Sequence, residues 1–491
     1  MRIAIITENF LPKVDGVTRT LARLLEHLSK TDYRVIVLGP ETNMATYAGA
    51  DLVGTYGIPF FLYPELKFNF WRPKFTQKLM EFQPDVIHLV DPVFLGAFGL
   101  AVVRYYLPDV PIVSSYHTNL AVYCDHFGYG FLKSIMWRWN RYCHSFSRFI
   151  ACPSPSTLSV LRNHGFENIK LWPRGVDISL FSPAKRSENL RAQWLGLSPL
   201  ASKKKTVIIY VGRISFEKNI SLVVEAYKDM DHSSCHLVLV GHGPAFYEIQ
   251  RYCSSSCIPV TFTGYLQGQD LSRAYASADI FAFPSVTETF GQVVLEAMSS
   301  GLPVVGLDAE GVRDLVDDKC TGLLLKTTNL SVKDQKNKYR ELLETLVTQP
   351  HLLDLLSCEA VRKAKKYTWS EAMQRMVNVY HDATGCSDEE LPRSLKLCLG
   401  DDREEGPHQK DRLLKIEPSE SSSSNALTYQ HDDSGDSGVE EDYAFHDEES
   451  KLLQSCTTPV LTHTQIPSAC NGSLLIKDQK CASQNMHYTI Q

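Results

Sequence analysis

The sequence has no long apolar run. No stretch of its 491 residues approaches the roughly 18 needed for a membrane-spanning helix. Met1-Arg2 leads straight into the short run Ile3-Ala4-Ile5-Ile6, with no signal-peptide cleavage site. The expected placement is cytoplasmic, with peripheral contact on the cytosolic face of a membrane as a possible addition. The sequons at Asn219, Asn329 and Asn471 then read as chance matches. The 13 cysteines are scattered; Cys253 and Cys257 are the closest pair, and no second pair stands at zinc-finger spacing. Reduced thiols and no metal site follow. Positive charge is also short, with 50 Lys/Arg against 56 Asp/Glu and no long basic stripe, which excludes a nucleic-acid-binding footprint. Between Glu8 and Gly16 there is one glycine where a dinucleotide fingerprint needs three, which argues against a dehydrogenase.

What charge there is lies unevenly. Residues 386–491 hold 9 Lys/Arg against 20 Asp/Glu, leaving 41 against 36 in the residues before them. The acidic end, with Ser421–Ser424 and the Asp432–Gly438 run, lacks apolar periodicity and cannot offset the entropy of ordering. It is expected to be a disordered tail, open to phosphorylation and a candidate for binding an unknown protein.

Residues 1 to about 383 alternate strand-like and helix-like segments. Ile3–Thr7, Arg34–Leu38, Val86–Val90, Ile112–Ser115 and Phe149–Ala151 read as buried strands. The alternation restarts at Val207–Val211 and continues through His236–Val240, Val260–Thr263, Ile280–Phe283, Pro303–Gly306 and Gly322–Leu325. Continuous apolar strands between helices imply α/β architecture: two doubly wound, Rossmann-like parallel sheets. The expected division is 1–185, 186–365, a helix over 366–385 returning to the first domain, and the tail 386–491. Ligands of such sheets bind beyond the carboxyl ends of the strands.

The segment Pro284–Ala297 places Glu288 in a loop after a strand and Glu296 about a turn and a half into the next helix. A helix start there offers unpaired N–H groups to a phosphate, and a carboxylate can hold a sugar diol. Two glutamates alone are ordinarily solvated, and an isolated Arg213-x4-Lys218 pair is ordinarily surface charge. Their strand-end positions, and that of His117 after Ile112–Ser115, tip the reading towards function. Asp229-Met230-Asp231 looks like a metal-binding DxD, but it falls at a helix end before a strand and reads as solvated surface.

Longer segments carry a resemblance. Asn9–Val17, Tyr116-His117-Thr118, Leu171–Asp177, Gly212–Asn219, Gly264–Gly268, Ala274–Asp279 and Leu295–Val305 resemble the family 4 retaining glycosyltransferases. Within that family they are most similar to the branch of sulfolipid synthase-like and GDP-mannose-dependent α-mannosyltransferases. The resemblance covers about residues 1–380. It implies a GT-B fold and transfer of a hexosyl group, mannosyl favoured, from a nucleotide sugar (GDP-mannose or a UDP-sugar) to an acceptor hydroxyl, with a glycolipid acceptor plausible. No further cofactor is implied.

It also implies roles for residues. Arg213 and Lys218 clamp the diphosphate, and Gly16 lies on the phosphate side of the first loop. His117, Glu288, Phe290 and Gly291 surround the transferred sugar, Glu296 holds the ribose diol and Tyr265 lies beside the base. Gly241–Pro244 shape the nucleotide pocket. One departure is Ala309-Glu310-Gly311, where the family often has Gly-Gly; Glu310 is expected near the sugar pocket, disfavouring an anionic sugar. The rivals are a sugar-nucleotide epimerase of the same fold and a non-catalytic interaction protein. Phe60–Tyr63 with Phe68, Phe70, Trp71, Lys67 and Arg72 reads equally as a membrane-facing surface or as a core strand plus loop.

Overall fold

The computed structural model describes residues 1–385 apart from 13–14, 61–62, 127, 199 and 201–204. The expected tail, 386–491, lies outside them. Two parallel sheets carry the fold. The first is built from β1 (Arg2–Thr7), β2 (Arg34–Pro40), β3 (Thr46–Tyr47) and β4 (Ala50–Thr55). After the hairpin β5 (Gly57–Phe60) and β6 (Tyr63–Asn69) it continues through β7 (Val86–Val90), β8 (Ile112–Ser115), β9 (Phe149–Cys152) and β10 (Ile169–Leu171). Its spatial order is β10-β9-β8-β7-β1-β2-β4-β3, parallel except for the edge pair β3 and β4.

The second sheet contains β11 (Thr206–Val211), β12 (Cys235–Val240), β13 (Val260–Gly264), β14 (Ile280–Phe283), β15 (Val304–Leu307) and β16 (Gly322–Leu325). Its order is β13-β12-β11-β14-β15-β16. The strands run as apolar blocks because helices cover both faces; β12 and β14 are buried at every position.

In each sheet the chain winds outward from one central strand and then restarts beside it. The switch points lie between β1 and β7 and between β11 and β14. Loops leaving these strands diverge there and open a crevice. They are the segments that hold Gly16, Arg213, Lys218 and Glu288.

The last helix, Trp369–Thr384, packs against the first sheet. Its Met373, Met376 and Tyr380 are buried with Ile3, Ile5, Val35 and Val37. The chain meets itself at the crossing, where Val176 pairs with Thr368. A Cβ on Gly175 would lie 2.2 Å from the Trp369 nitrogen, so only glycine lets the two backbones touch.

Candidate active site

On the second-domain side, β11 runs out through Gly212 into Arg213, and a short turn over Phe216–Lys218 brings Lys218 back over the crevice. Its Nζ lies 2.7 Å from Glu288 Oε1 and 3.0 Å from Thr287 Oγ1. Ser285 Oγ donates to the same carboxylate oxygen at 3.2 Å. The Glu288 loop is held from below: a Cβ on Gly311 would fall 2.7 Å from the Glu288 carbonyl oxygen, and Gly311 has φ +76°. Gly291, at φ +91°, caps the helix Gln292–Ser299 without a side-chain hydrogen bond. The start of that helix thus has no side-chain cap, an arrangement able to receive an anion. Phe290 beside it is buried.

The glycines of Gly241–Pro244 serve the protein itself. A Cβ on Gly241 would meet the Gly212 carbonyl at 1.9 Å, and one on Gly243 would meet the Ile214 carbonyl at 2.4 Å. They allow the loops after β11 and β12 to lie against each other. Gly16 differs. It opens the helix Gly16–Leu28, which Asp15 caps through Val17 and Thr18, and a Cβ there meets no protein atom within 4 Å.

Glu296 is 2% exposed, and burial raises its carboxyl above the usual range. Arg19, from the first domain, reaches across the crevice and donates to its Oε1 at 3.1 Å. The Tyr275 hydroxyl donates to Oε2 at 3.3 Å. The carboxylate assigned to a diol is thus paired with a guanidinium of the first domain.

His117 also lies at the crevice, but both ring nitrogens are engaged. Arg174 Nη2 bonds Nδ1, and Nε2 lies 2.8 Å from Ser115 Oγ. Ser115 Oγ is in turn 2.8 Å from His88 Nε2, and His88 Nδ1 is 2.8 Å from the Tyr380 hydroxyl. Arginine can only donate, so the His117 tautomer follows. His117 carries its proton on Nε2 and donates to Ser115, which joins it through His88 to Tyr380. Burial favours neutral rings: His117 is pushed well below the usual histidine range, and His88 down to about 3.

Asp91, after β7, accepts from the backbone N–H of His117 at 2.7 Å and from Thr118 Oγ1 at 3.0 Å. Burial pushes its carboxyl up to about 7. Asp91 escaped the sequence reading, and Arg174 was quoted there only within Leu171–Asp177, without a role. Arg174 stands inside Trp172-Pro173-Arg174-Gly175, where a cation among apolar residues at a strand end was the available signal.

The two domains touch across the crevice. Thr289 Oγ1 donates to the His117 carbonyl at 2.7 Å, and Gln292 Nε2 to the Gly175 carbonyl at 3.0 Å. Glu310 does stand by Glu288: both border a cavity of about 10 Å³, together with Asn119 and Thr287. Its Oε1 accepts from Thr157 of the first domain at 2.6 Å, and burial raises its carboxyl. A larger cavity, about 430 Å³, lies beside Arg174, Lys363 and Tyr367, lined in part by the Leu171–Asp177 segment and by none of the residues given a role from the sequence.

Tyr265 is 61% exposed on the loop after β13. Asp229 closes its helix and pairs with Lys336 at 2.8 Å, while Asp231 caps a turn through Ser233. Among the described residues no three metal-ligating side chains cluster, and no helix is long and apolar enough to cross a membrane. Of the aromatic segment weighed as a membrane surface, 61–62 and the side chains of 59–68 lie outside the described residues. Its backbone forms the hairpin β5–β6, Phe70 is exposed, and Trp71 packs edge-on against Phe75.

With this geometry in hand, comparison with known proteins is informative. Residues 14–180 match the family model described as Glycosyltransferase Family 4, and residues 198–349 match Glycosyl transferases group 1. A GDP-mannose-dependent alpha-mannosyltransferase of Mycolicibacterium smegmatis is 38% identical over 66% of this chain and 84% of its own. Sulfoquinovosyl transferase SQD2 of Arabidopsis thaliana is 30% identical over 78% of this chain and 74% of its own. Among solved structures, sucrose-phosphate synthase from Thermosynechococcus elongatus superposes with TM-score 0.65 at 20% identity, covering 79% of this chain and 100% of that one. The fold is the two-domain glycosyltransferase architecture GT-B. Two sheets joined at a crevice, matched family models on both sides of it, and relatives aligned over most of their length lead to one conclusion: the chain belongs to the family 4 glycosyltransferases.

Proposed function

We propose that the protein transfers a hexosyl group, mannosyl in the first instance, from a nucleotide sugar to an acceptor hydroxyl with net retention of configuration. The observation that carries this reading is the Lys218–Glu288 pair, 2.7 Å apart at the switch point of the second sheet and beside an uncapped helix start. In this reading residues 1–185 form the acceptor side and 186–365 hold the donor. Arg213, Lys218 and the helix Gln292–Ser299 stabilise the charge that develops on the departing diphosphate, where fixed cations and dipoles are worth most. Glu288, with the backbone of Phe290 and Gly291, holds the sugar hydroxyls. Glu296 takes the ribose diol once Arg19 withdraws, Gly16 leaves room for the phosphates, and Tyr265 lies beside the base.

His117 touches the sugar through its ring edge or after exchanging a ring partner, since Arg174 and Ser115 hold both nitrogens. Glu288 is committed to Lys218 and Ser285, which suits a hydroxyl ligand better than a covalent nucleophile. The acceptor hydroxyl therefore attacks from the face that the diphosphate leaves.

The name of the mycolicibacterial relative supports GDP-mannose, and a UDP-sugar is the alternative donor. A glycolipid acceptor is supported by the name of a streptococcal relative, alpha-monoglucosyldiacylglycerol synthase, and peripheral membrane contact is the placement such an acceptor would require. Glu310 beside Glu288 disfavours an anionic sugar; a Glu310→Gly variant with the wild-type donor preference would remove that point. Product analysis with a sugar-labelled donor tests the whole reading. Transfer moves the label off the nucleotide onto the acceptor, whereas epimerisation leaves it on the nucleotide.

A further inference from the structure

The cavity of about 430 Å³ beside Arg174 has walls from both domains. Pro153 and Pro173, in the loops after β9 and β10, and Leu171 at the end of β10 make one side of it apolar. Cys320 and Lys363 line it from the second domain, and Tyr367 and Thr368 from the segment that crosses back. Its size falls within the roughly 300–1,000 Å³ typical of small-molecule sites.

Charge around the cavity is unbalanced. Five basic and three acidic side chains line it. Three pairs cancel: Lys363 Nζ lies 2.8 Å from Asp317 Oδ1, Arg362 Nε 2.8 Å from Glu359 Oε2, and Arg375 Nη2 3.0 Å from Glu371 Oε1. That leaves Arg174 and Lys366, which form no ion pair among the described residues. Lys366 is exposed, but Arg174 is only 7% exposed. Its guanidinium donates to the His117 ring and to the Trp172 carbonyl, both neutral, and so uses two of its five N–H groups on the described residues. Asp91 is near enough for its charge to be felt, yet forms no ion pair with it. A buried guanidinium without a contacting counter-ion is costly, and an anion in the cavity would offset that cost. A phosphate monoester carries close to two negative charges at neutral pH, and its oxygens match the guanidinium fork.

The cavity also touches the crevice from behind. Arg174 lines it and holds His117, while Tyr367 lines it and packs edge-on against Phe290, with ring centroids 6.5 Å apart. A ligand whose contacts here differ between open and closed arrangements of the domains must change affinity in the crevice by linkage.

We propose that this cavity is a second binding site, for a small phosphate monoester, with the phosphate on Arg174 and Lys366 and the carbon skeleton against Pro153, Leu171 and Pro173. Its occupant tunes nucleotide binding in the crevice through Arg174 and Tyr367. The binding itself does not depend on the proposed transfer reaction.

The test is a thermal-shift titration of the full chain with glucose 6-phosphate, inorganic phosphate and glucose, each with and without a saturating nucleoside diphosphate. Glucose 6-phosphate is expected to raise the midpoint, phosphate to raise it less and glucose not at all, and the shift should persist with nucleotide present. Lys366→Glu, at an exposed position, and Leu171→Glu, on the apolar side, should each weaken glucose 6-phosphate binding about tenfold or more. Both should keep the wild-type stabilisation by nucleotide alone. In wild type, but not in Lys366→Glu, glucose 6-phosphate should change the nucleotide dissociation constant about fivefold or more. No shift with either phosphate probe, or wild-type binding by both variants, overturns the site. A shift that nucleotide abolishes and Lys366→Glu retains does so too, since the anion would then lie in the crevice. Binding that leaves nucleotide affinity unchanged overturns the coupling.

Discussion

Arg19 of the first domain donates to Glu296 of the second at 3.1 Å, closing the crevice with a contact that a bound ribose would have to replace. The Glu296 side chain is 3% exposed and that of Arg19 39%. Removing the arginine therefore frees a buried carboxylate without removing a diol ligand. Arg19→Ala is expected to bind nucleoside diphosphate at least as tightly as wild type in calorimetry. A loss of tenfold or more, about 1.4 kcal/mol, would place Arg19 on the nucleotide instead.

Lys218 is the cation that directly faces the sugar loop, so its loss should act on the transition state more than on folding. Lys218→Ala is expected to reduce transfer by roughly 10²–10³, as for other donors aimed at developing negative charge. The check is turnover of labelled donor alongside the thermal midpoint. A variant with near-wild-type turnover would remove Lys218 from the diphosphate clamp.

Arg174 fixes His117 in the Nε2–H tautomer from a position that we expect to be outside the substrate. Arg174→Met should lower kcat by roughly tenfold or more while donor KM moves by less than about threefold, the signature of a lost orientation. A merely structural role would change the thermal midpoint and leave kcat intact in the folded fraction. Rescue by Arg174→Lys should be partial, because an ammonium can donate to Nδ1 but cannot also reproduce the planar contacts of the guanidinium with Trp172.

His88 gives a pH prediction. Its ring is fully buried and pushed down to about 3, whereas in the unfolded chain it titrates near 6.5. Below about pH 6.5 the unfolded state takes up a proton that folded His88 does not, so this group's contribution falls as pH drops towards 3. Other buried groups titrate in the same interval, Asp91 in the opposite sense, so the informative quantity is a difference. The stability advantage of wild type over His88→Asn should shrink by on the order of 3 kcal/mol between pH 7 and pH 4. A constant difference in denaturant titrations would contradict the burial of a neutral ring.

The fold was largely legible because its central strands are continuous apolar blocks, such as Val207–Val211 and Ile280–Phe283, separated by helical periodicity. The edge of the first sheet was not. Ala50–Thr55 is buried only at Ala50, Val53 and Thr55 and includes Asp51 and Gly54, so it offers no apolar run, and its place beside β2 is set by tertiary pairing. At the site, residues within local motifs, Lys218 and Glu288 among them, could be named from sequence. Arg19, Arg174 and Thr157 could not, because their roles arise from partners 277, 57 and 153 residues away, which the folding of the first domain brings near for Arg174 and the meeting of the two domains for Arg19 and Thr157.

The account stands most directly on nucleotide-sugar binding at the crevice. The measurement is a thermal-shift panel of GDP, UDP, ADP and their sugars on the wild-type chain, Lys218→Ala and Glu296→Ala, since a ligand that binds the folded state stabilises it by mass action. The account predicts that one nucleotide series, GDP first, raises the wild-type midpoint and that both substitutions abolish most of the shift. No shift with any nucleotide, or equal shifts in all three proteins, would contradict it.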